Sequence, residues 1–105
     1  MITLEHLHDA ILETFEVHWE RGEIEFRFHV TIGNNRHVYL RCAGLKNLKC
    51  PRMYPWGRSR AVNNIRIEKA PGYIENSILL RIEMQSGDLI EADIESADLL
   101  TETPA

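Results

Sequence analysis

The sequence predicts a mainly β domain: an antiparallel sheet of six or seven strands, curled into a sandwich or partial barrel, with short helical turns near its termini. Three observations carry this. Residues 23–32 alternate without a break, apolar at Ile24, Phe26, Phe28, Val30 and Ile32 and polar between them, which is the period of a half-buried strand. Ahead of them Phe15, Val17 and Trp19 alternate with Glu16, His18 and Glu20, and Arg21-Gly22 joins the two runs. A second pair of runs, Ile78, Leu80, Ile82, Met84 and Ile90, Ala92, Ile94, flanks Ser86-Gly87-Asp88.

At the N-terminus, Thr3 can cap a helical turn over residues 3–9, with Leu4, Leu7 and Ile11 on one side, and a strand then starts near residue 11. In the first hairpin parity restricts the register. A two-residue loop at Arg21-Gly22 sets Trp19 opposite Ile24, Val17 opposite Phe26 and Phe15 opposite Phe28, all on one face. The polar face then pairs Glu16 with Arg27 and His18 with Glu25, but also sets Glu20 against Glu23, an unfavourable contact at the tip.

Gly33-Asn34-Asn35-Arg36 reads as a turn, followed by a strand from His37 to Ala43 with Val38, Leu40 and Cys42 on the apolar parity. A loop centred on Asn35 pairs Val30 with Leu40 and Phe28 with Cys42, leaving His37, Tyr39 and Arg41 outward. Residues 44–61 read as irregular, interrupted by Gly44, Pro51, Pro55 and Gly57. A strand resumes over residues 63–68, Ala70-Pro71-Gly72 turns the chain, and the last hairpin runs from about Ser77 to Glu95. A three- or five-residue loop keeps its two apolar sets on one face, with Leu89 on the wrong parity marking a bulge. Ser96-Ala97-Asp98-Leu99-Leu100 reads as a closing helical turn. Residues 1–100 then form one domain and 101–105 a flexible tail.

Charge is sorted along the chain. Residues 1–25 carry −6, residues 26–67 carry +9 with no acid at all, and residues 68–105 carry −7, giving the net −4. Such blocks either pair up within the fold or leave surfaces of opposite sign for partners. No apolar run approaches the roughly 20 residues a membrane-spanning helix needs, and Met1-Ile2-Thr3-Leu4-Glu5 lacks the pattern of a signal peptide. With only Cys42 and Cys50, the expected setting is cytoplasmic with reduced thiols, without membrane association.

Candidate chemistry is sparse. His6, His8 and Asp9 offer metal-ligand types, but at i and i+2 on a helical turn the imidazoles diverge and no third ligand follows from spacing, so no metal site is expected. Cys50, flanked by Lys49 and Arg52, has no base that the sequence can place beside it, and Cys42 falls on the core parity as a small apolar filler. Gly33, Gly44, Gly57, Gly72 and Gly87 are isolated turn glycines, so no phosphate-cradling loop, and no cofactor, is expected. The most informative loop is Arg52, Tyr54, Trp56, Arg58 and Arg60, which interleaves aromatics and arginines with no acid. Those residue types serve protein hot spots and also stacking on bases with phosphate contacts. Glu91 and Asp93 represent the acidic outward face of the last hairpin.

Three segments, Leu7-His8-Asp9-Ala10 before Trp19-Glu20-Arg21-Gly22, Pro55-Trp56-Gly57-Arg58-Ser59, and Ile82-Glu83-Met84-Gln85-Ser86-Gly87-Asp88, occur in an order that resembles a group of small bacterial single-domain proteins of unknown function. Some relatives of that group are classed with immunity proteins of polymorphic toxin systems. The resemblance implies a bacterial β-rich domain and structural roles for Asp9 as a cap, Trp56 as a core plug and Ser86-Gly87-Asp88 as a turn. It carries no catalytic residue.

The functional expectation is a non-enzymatic module that binds another protein, of the immunity type, through Arg52, Tyr54, Trp56, Arg58 and Arg60 and through Glu91 and Asp93. The alternative is an anionic ligand or nucleic acid on the arginine-aromatic loop, disfavoured by the net negative charge. Exposed edge strands leave a homodimer open as a further arrangement.

Overall fold

The structure, a computed structural model, describes residues 4–30, 36–53, 60–69 and 77–101. A 3-10 turn at Leu4–Leu7 leads into β1 (Ile11–His18), a second 3-10 turn (Trp19–Arg21), β2 (Glu23–Val30), β3 (Arg36–Ala43), β4 (Asn47–Lys49), β5 (Val62–Lys69), β6 (Ile78–Met84), β7 (Leu89–Ile94) and β8 (Ser96–Thr101). These form two four-stranded sheets, ordered β1-β2-β3-β8 and β4-β7-β6-β5, with every pairing antiparallel. The predicted β-sandwich class is therefore found. No described helix is long and apolar enough to cross a membrane.

Among the described residues eight strands stand where six or seven were expected, for two local reasons. Residues 47–49 pair with β7 (Asn47 with Asp93, Leu48 with Ala92), making a short edge strand inside the segment read as irregular. Residues 96–101 are a strand, not a helical turn: Ala97 lies opposite Cys42 and Leu99 opposite Leu40, and both pack on the core. Five residues of alternating size are too few to separate a period of two from a helical turn. Thr101, expected in the tail, pairs with Val38 at the end of β8, and residues 102–105 lie outside the described set.

The first hairpin keeps the predicted apolar face but slides by two residues. Phe15 pairs with Phe26 and Val17 with Ile24, because Trp19–Arg21 form a 3-10 turn closed by Gly22 at φ 62°. The longer connection removes the Glu20–Glu23 opposition that a two-residue loop imposes. It also replaces the expected polar pairs: Glu16 now faces Glu25, and His18 faces Glu23. Glu25 is answered by Arg41, whose Nη2 lies 2.9 Å from its carboxylate. In β2–β3 the pairs are Phe28 with Val38, Phe26 with Leu40 and Ile24 with Cys42, not Phe28 with Cys42. The slip preserves parity, so periodicity alone could not reveal it.

A bulge in β1 does more. Leu12 pairs with Phe28 and Thr14 with Arg27, leaving Glu13 as the extra residue. The apolar parity of the chain switches at this point, from Ala10 and Leu12 on even positions to Phe15 and Val17 on odd ones. Both sets can then face the core. Upstream of the bulge β1 is tied to the second sheet: Val62 N–H donates to Ala10 O, Asp9 N–H to Val62 O and Leu12 N–H to Arg60 O, each at 2.8 Å. These bonds tie the start of β1 to the start of β5 and close one corner of the sandwich.

The interior is formed by Phe26, Phe28, Ile24, Val38, Leu40 and Cys42 from one sheet and Leu80, Ile82, Ile94, Ala92 and Val62 from the other, with Leu7 closing one side. The last hairpin keeps its two apolar sets on one face, as expected: Ile78 faces Ile94, Leu80 faces Ala92 and Ile82 faces Ile90. Ser86-Gly87-Asp88 is its turn, with Gly87 at φ 96° and the Ser86 hydroxyl donating to Asp88 Oδ2 at 2.9 Å. Leu89 makes no bulge; it pairs with Glu83 on the outer face. Asp9 does not cap a helix either. It sits at φ 66°, and its carboxylate accepts from the Gln85 side chain, tying the N-terminal turn to the end of β6.

Candidate functional site

Two adjoining hollows follow β1. The first, about 420 Å³, lies between Leu12–Phe15 of β1, the Cys50-Pro51-Arg52 segment, Arg60, and the β6–β7 turn with Ser86, Asp88 and Ile90. The second, about 390 Å³, lies between Val17, Trp19 and Gly22 on one side and Leu45–Leu48 on the other. β1 is the edge strand that both share. From Thr14 to His18 it pairs only with β2, and among the described residues no strand takes its other side. An antiparallel edge leaves every second N–H and C=O aimed outward.

The rims have distinct characters. At the Gly22 end, Trp19 is 88% exposed and Val17 40% exposed. The 3-10 turn that lengthens the hairpin carries Trp19 out of the core position that a two-residue loop would give it. At the other end Arg52 and Arg60, both exposed, stand over a floor of Leu12, Phe15, Met84 and Ile90. Asp88, 6% exposed, holds this end together by accepting from Met53 N–H at 2.8 Å on Oδ1 and from the Ser86 hydroxyl on Oδ2.

Of the residues singled out by sequence, Arg52 and Arg60 are thus brought together on one groove. Tyr54, Trp56 and Arg58 lie outside the described residues. Glu91 and Asp93 stand elsewhere, on the outer face of the second sheet. There Glu91 lies 3.5 Å from Arg81, which also reaches Glu68 at 3.8 Å. These three belong to the same charge block, but among the described residues the basic block also meets the acidic ones across neighbouring strands, as Arg41 does Glu25 and Arg27 does Glu13. Such partly exposed pairs contribute at most about 1 kcal/mol each. His8 is held locally, its Nδ1 2.6 Å from Asn63 O and its Nε2 3.6 Å from Asp9.

The thiols are not set up as nucleophiles. Burial raises the Cys50 pKa above its usual 9.0, and the nearby Asp88 carboxylate adds to the rise. A reactive thiolate needs the opposite environment. Cys42, in the core, is pushed up to about 12 by burial, with Asp98 contributing.

A cluster the sequence reading did not assemble lies on the outer face of the first sheet. Glu13, His29 and His37 place one potential ligand atom each within 4.8 Å of the others. His29 and His37 are cross-strand neighbours with stacked rings, centroids 5.0 Å apart, and Glu13 Oε1 is 3.1 Å from His37 Nε2. The expected register hid this by placing His29 opposite Arg41, and the unbulged parity of β1 gave Glu13 no reason to face them. Val17, Trp19, Leu45 and Leu48, which line the second hollow, are likewise not singled out as candidates by the sequence reading. The like-charge Glu20–Glu23 contact was the available sign that the loop is longer and Trp19 displaced.

No known family profile matches the chain, and no curated protein does. Among solved structures, the crystal structure of an uncharacterized protein from Neisseria gonorrhoeae is similar, with a TM-score of 0.62 over 88% of this chain and 90% of that one at 14% identity. At that identity the likeness concerns the fold alone.

Proposed function

We propose that this chain is a non-enzymatic binding module that takes an extended segment of a partner protein along the free edge of β1, as an immunity-type protein does when it occludes its target. The observation that carries the reading is Trp19, 88% exposed at the end of a groove whose wall is an unpaired strand edge. Strand addition supplies main-chain hydrogen bonds, and pockets beside the edge supply specificity. Tryptophan and arginine are the residue types that dominate interface energy, and here Trp19 and Arg52 mark the two ends. The immunity-type assignment rests on the resemblance of the three segments, Leu7-His8-Asp9-Ala10 before Trp19-Glu20-Arg21-Gly22, Pro55-Trp56-Gly57-Arg58-Ser59 and Ile82 to Asp88, to a group of proteins of unknown function, some of whose relatives are classed with immunity proteins. The raised Cys50 pKa supports a role without nucleophilic catalysis.

The test is recovery of the tagged protein from its native cells at low and moderate salt, beside a Trp19→Ala protein and an Arg52→Glu protein. A single partner protein held by the wild type and lost by both variants supports the reading. A partner kept equally by all three removes the groove from the account. Co-purifying nucleic acid that is lost as salt rises would favour the anionic-ligand alternative.

A further inference from the structure

We propose that Glu13, His29 and His37 form a binding site for a divalent transition metal of the zinc type on the outer face of the first sheet. Glu13 borders the first hollow, whereas His29 and His37 do not line it, so the presence or absence of metal here does not decide the binding-module reading.

The ligand set comes from three adjacent strands. Glu13 is on β1, His29 on β2 and His37 on β3, and the ladder fixes His29 directly opposite His37. Sites built on paired strands hold their geometry better than sites on loops. The β1 bulge is the device that completes the set: with Glu13 as the extra residue, its carboxylate reaches the histidine face and lies 3.1 Å from His37 Nε2. Re-aiming one side chain is a characteristic use of a bulge.

The distances suit a metal after a small adjustment. Even if all three donors stood at the 4.8 Å limit that bounds their separations, the equidistant point would lie about 2.8 Å from each. Zinc takes nitrogen and carboxylate oxygen at about 2.0–2.2 Å, so each donor moves inward by about 0.7 Å at most. Side-chain rotation covers that without moving a strand. Imidazole ligands select zinc, nickel or copper over magnesium and calcium, which prefer all-oxygen shells. Two imidazoles and one carboxylate leave a fourth tetrahedral position for water or for a donor from a partner.

Arg27 is the evident competitor, since its Nε lies 3.3 Å from Glu13 Oε1. That contact is an ion pair without a hydrogen bond, because Arg27 Nε has no hydrogen-bond partner among the described residues. The carboxylate can therefore turn to a metal while the guanidinium stays over the Tyr39 ring, 5.9 Å from its centroid. The side chains of Glu13 and His37 are 34% and 29% exposed, so an ion can enter from solvent. The competing account is a stacked histidine pair closed by a Glu13–His37 ion pair, which would bind no metal.

The experiment is calorimetric titration of zinc chloride into the tag-free protein and into His29→Ala, His37→Ala, Glu13→Gln and a His6→Ala/His8→Ala control. Binding should saturate at one zinc per chain. His29→Ala and His37→Ala should each weaken it at least about tenfold, Glu13→Gln should weaken it, and the control should match the wild type. Histidine ring NMR of the wild type gives a readout that needs no substitution: zinc should shift His29 and His37 and spare His6, His8 and His18. Absence of saturable binding, equal affinity in all variants, or loss confined to the His6/His8 control would each overturn the site.

Discussion

Gly44 and Gly22 have nearly the same backbone conformation, φ 68° and 62°, yet very different surroundings. A Cβ on Gly22 would meet nothing closer than Leu45 N at 3.8 Å, an ordinary contact. A Cβ on Gly44 would lie 2.5–2.6 Å from Cγ, Cβ and Cδ of Glu95. The Cβ of Glu95 is fixed by its backbone, whose N–H donates to Ala43 O at 2.9 Å where β7 passes into β8. Gly22→Ala therefore isolates the left-handed strain, about 1–2 kcal/mol. Gly44→Ala adds an overpacking cost of about 1–3 kcal/mol. Urea unfolding followed by circular dichroism should place Gly44→Ala below Gly22→Ala by that second amount. At about 4–8 °C per kcal/mol for a domain of this size, its melting temperature should be visibly lower too. Glu95→Gly in the Gly44→Ala background should recover part of the loss. Equal destabilisation by the two single substitutions would refute the corner geometry that sets Leu45–Leu48 against the groove.

Three further outcomes follow from the site. Asp88→Ala removes acceptors from Met53 N–H and the Ser86 hydroxyl at a buried position, and should cost about 1–3 kcal/mol in chemical denaturation; a loss below a few tenths would contradict that anchoring role. Because the native Cys50 pKa lies above 9.0, its thiolate fraction at pH 8 is below that of the unfolded chain, so alkylation should be slower in the native protein and its pH–rate midpoint should lie above 9.0; native alkylation as fast as in urea would contradict this. Glu91→Lys breaks the contact with Arg81 and puts a third cation beside Arg81 and Lys49, and should destabilise by about 0.5–1 kcal/mol, an effect that shrinks in high salt.

Much of the fold is legible in the residues because the burial pattern repeats strictly. Residues 23–30 alternate half-buried and buried as the sequence alternates polar and apolar, and Ile78 to Ile94 fold back with both apolar sets on the face that parity requires. What parity cannot supply is an even-numbered slip, and both early hairpins slipped by an even number. Local chemistry held one clue, the Glu20–Glu23 opposition, and none for the β2–β3 loop. The bulge at Glu13 is written in the sequence as a change of apolar parity between Leu12 and Phe15, which also reads as an ambiguous strand start. The candidate site was harder for the same reason. Arg52 and Arg60 stand out by composition, whereas Trp19, Val17 and the Glu13–His29–His37 cluster become visible only once register is known. β4 and β8 are short edge strands whose partners lie far along the chain, and no local period announces them.

The most direct test of the β1 edge as the binding surface is site-specific photo-cross-linking in the native cells. A benzophenone side chain would be placed at Val17, at Met53 and, as a control, at Arg66 on the outer face of β5. Adducts to the same partner protein from positions 17 and 53, with none from 66, are the predicted result. Adducts from position 66 alone, or a partner that cross-links equally at all three positions, would contradict the account.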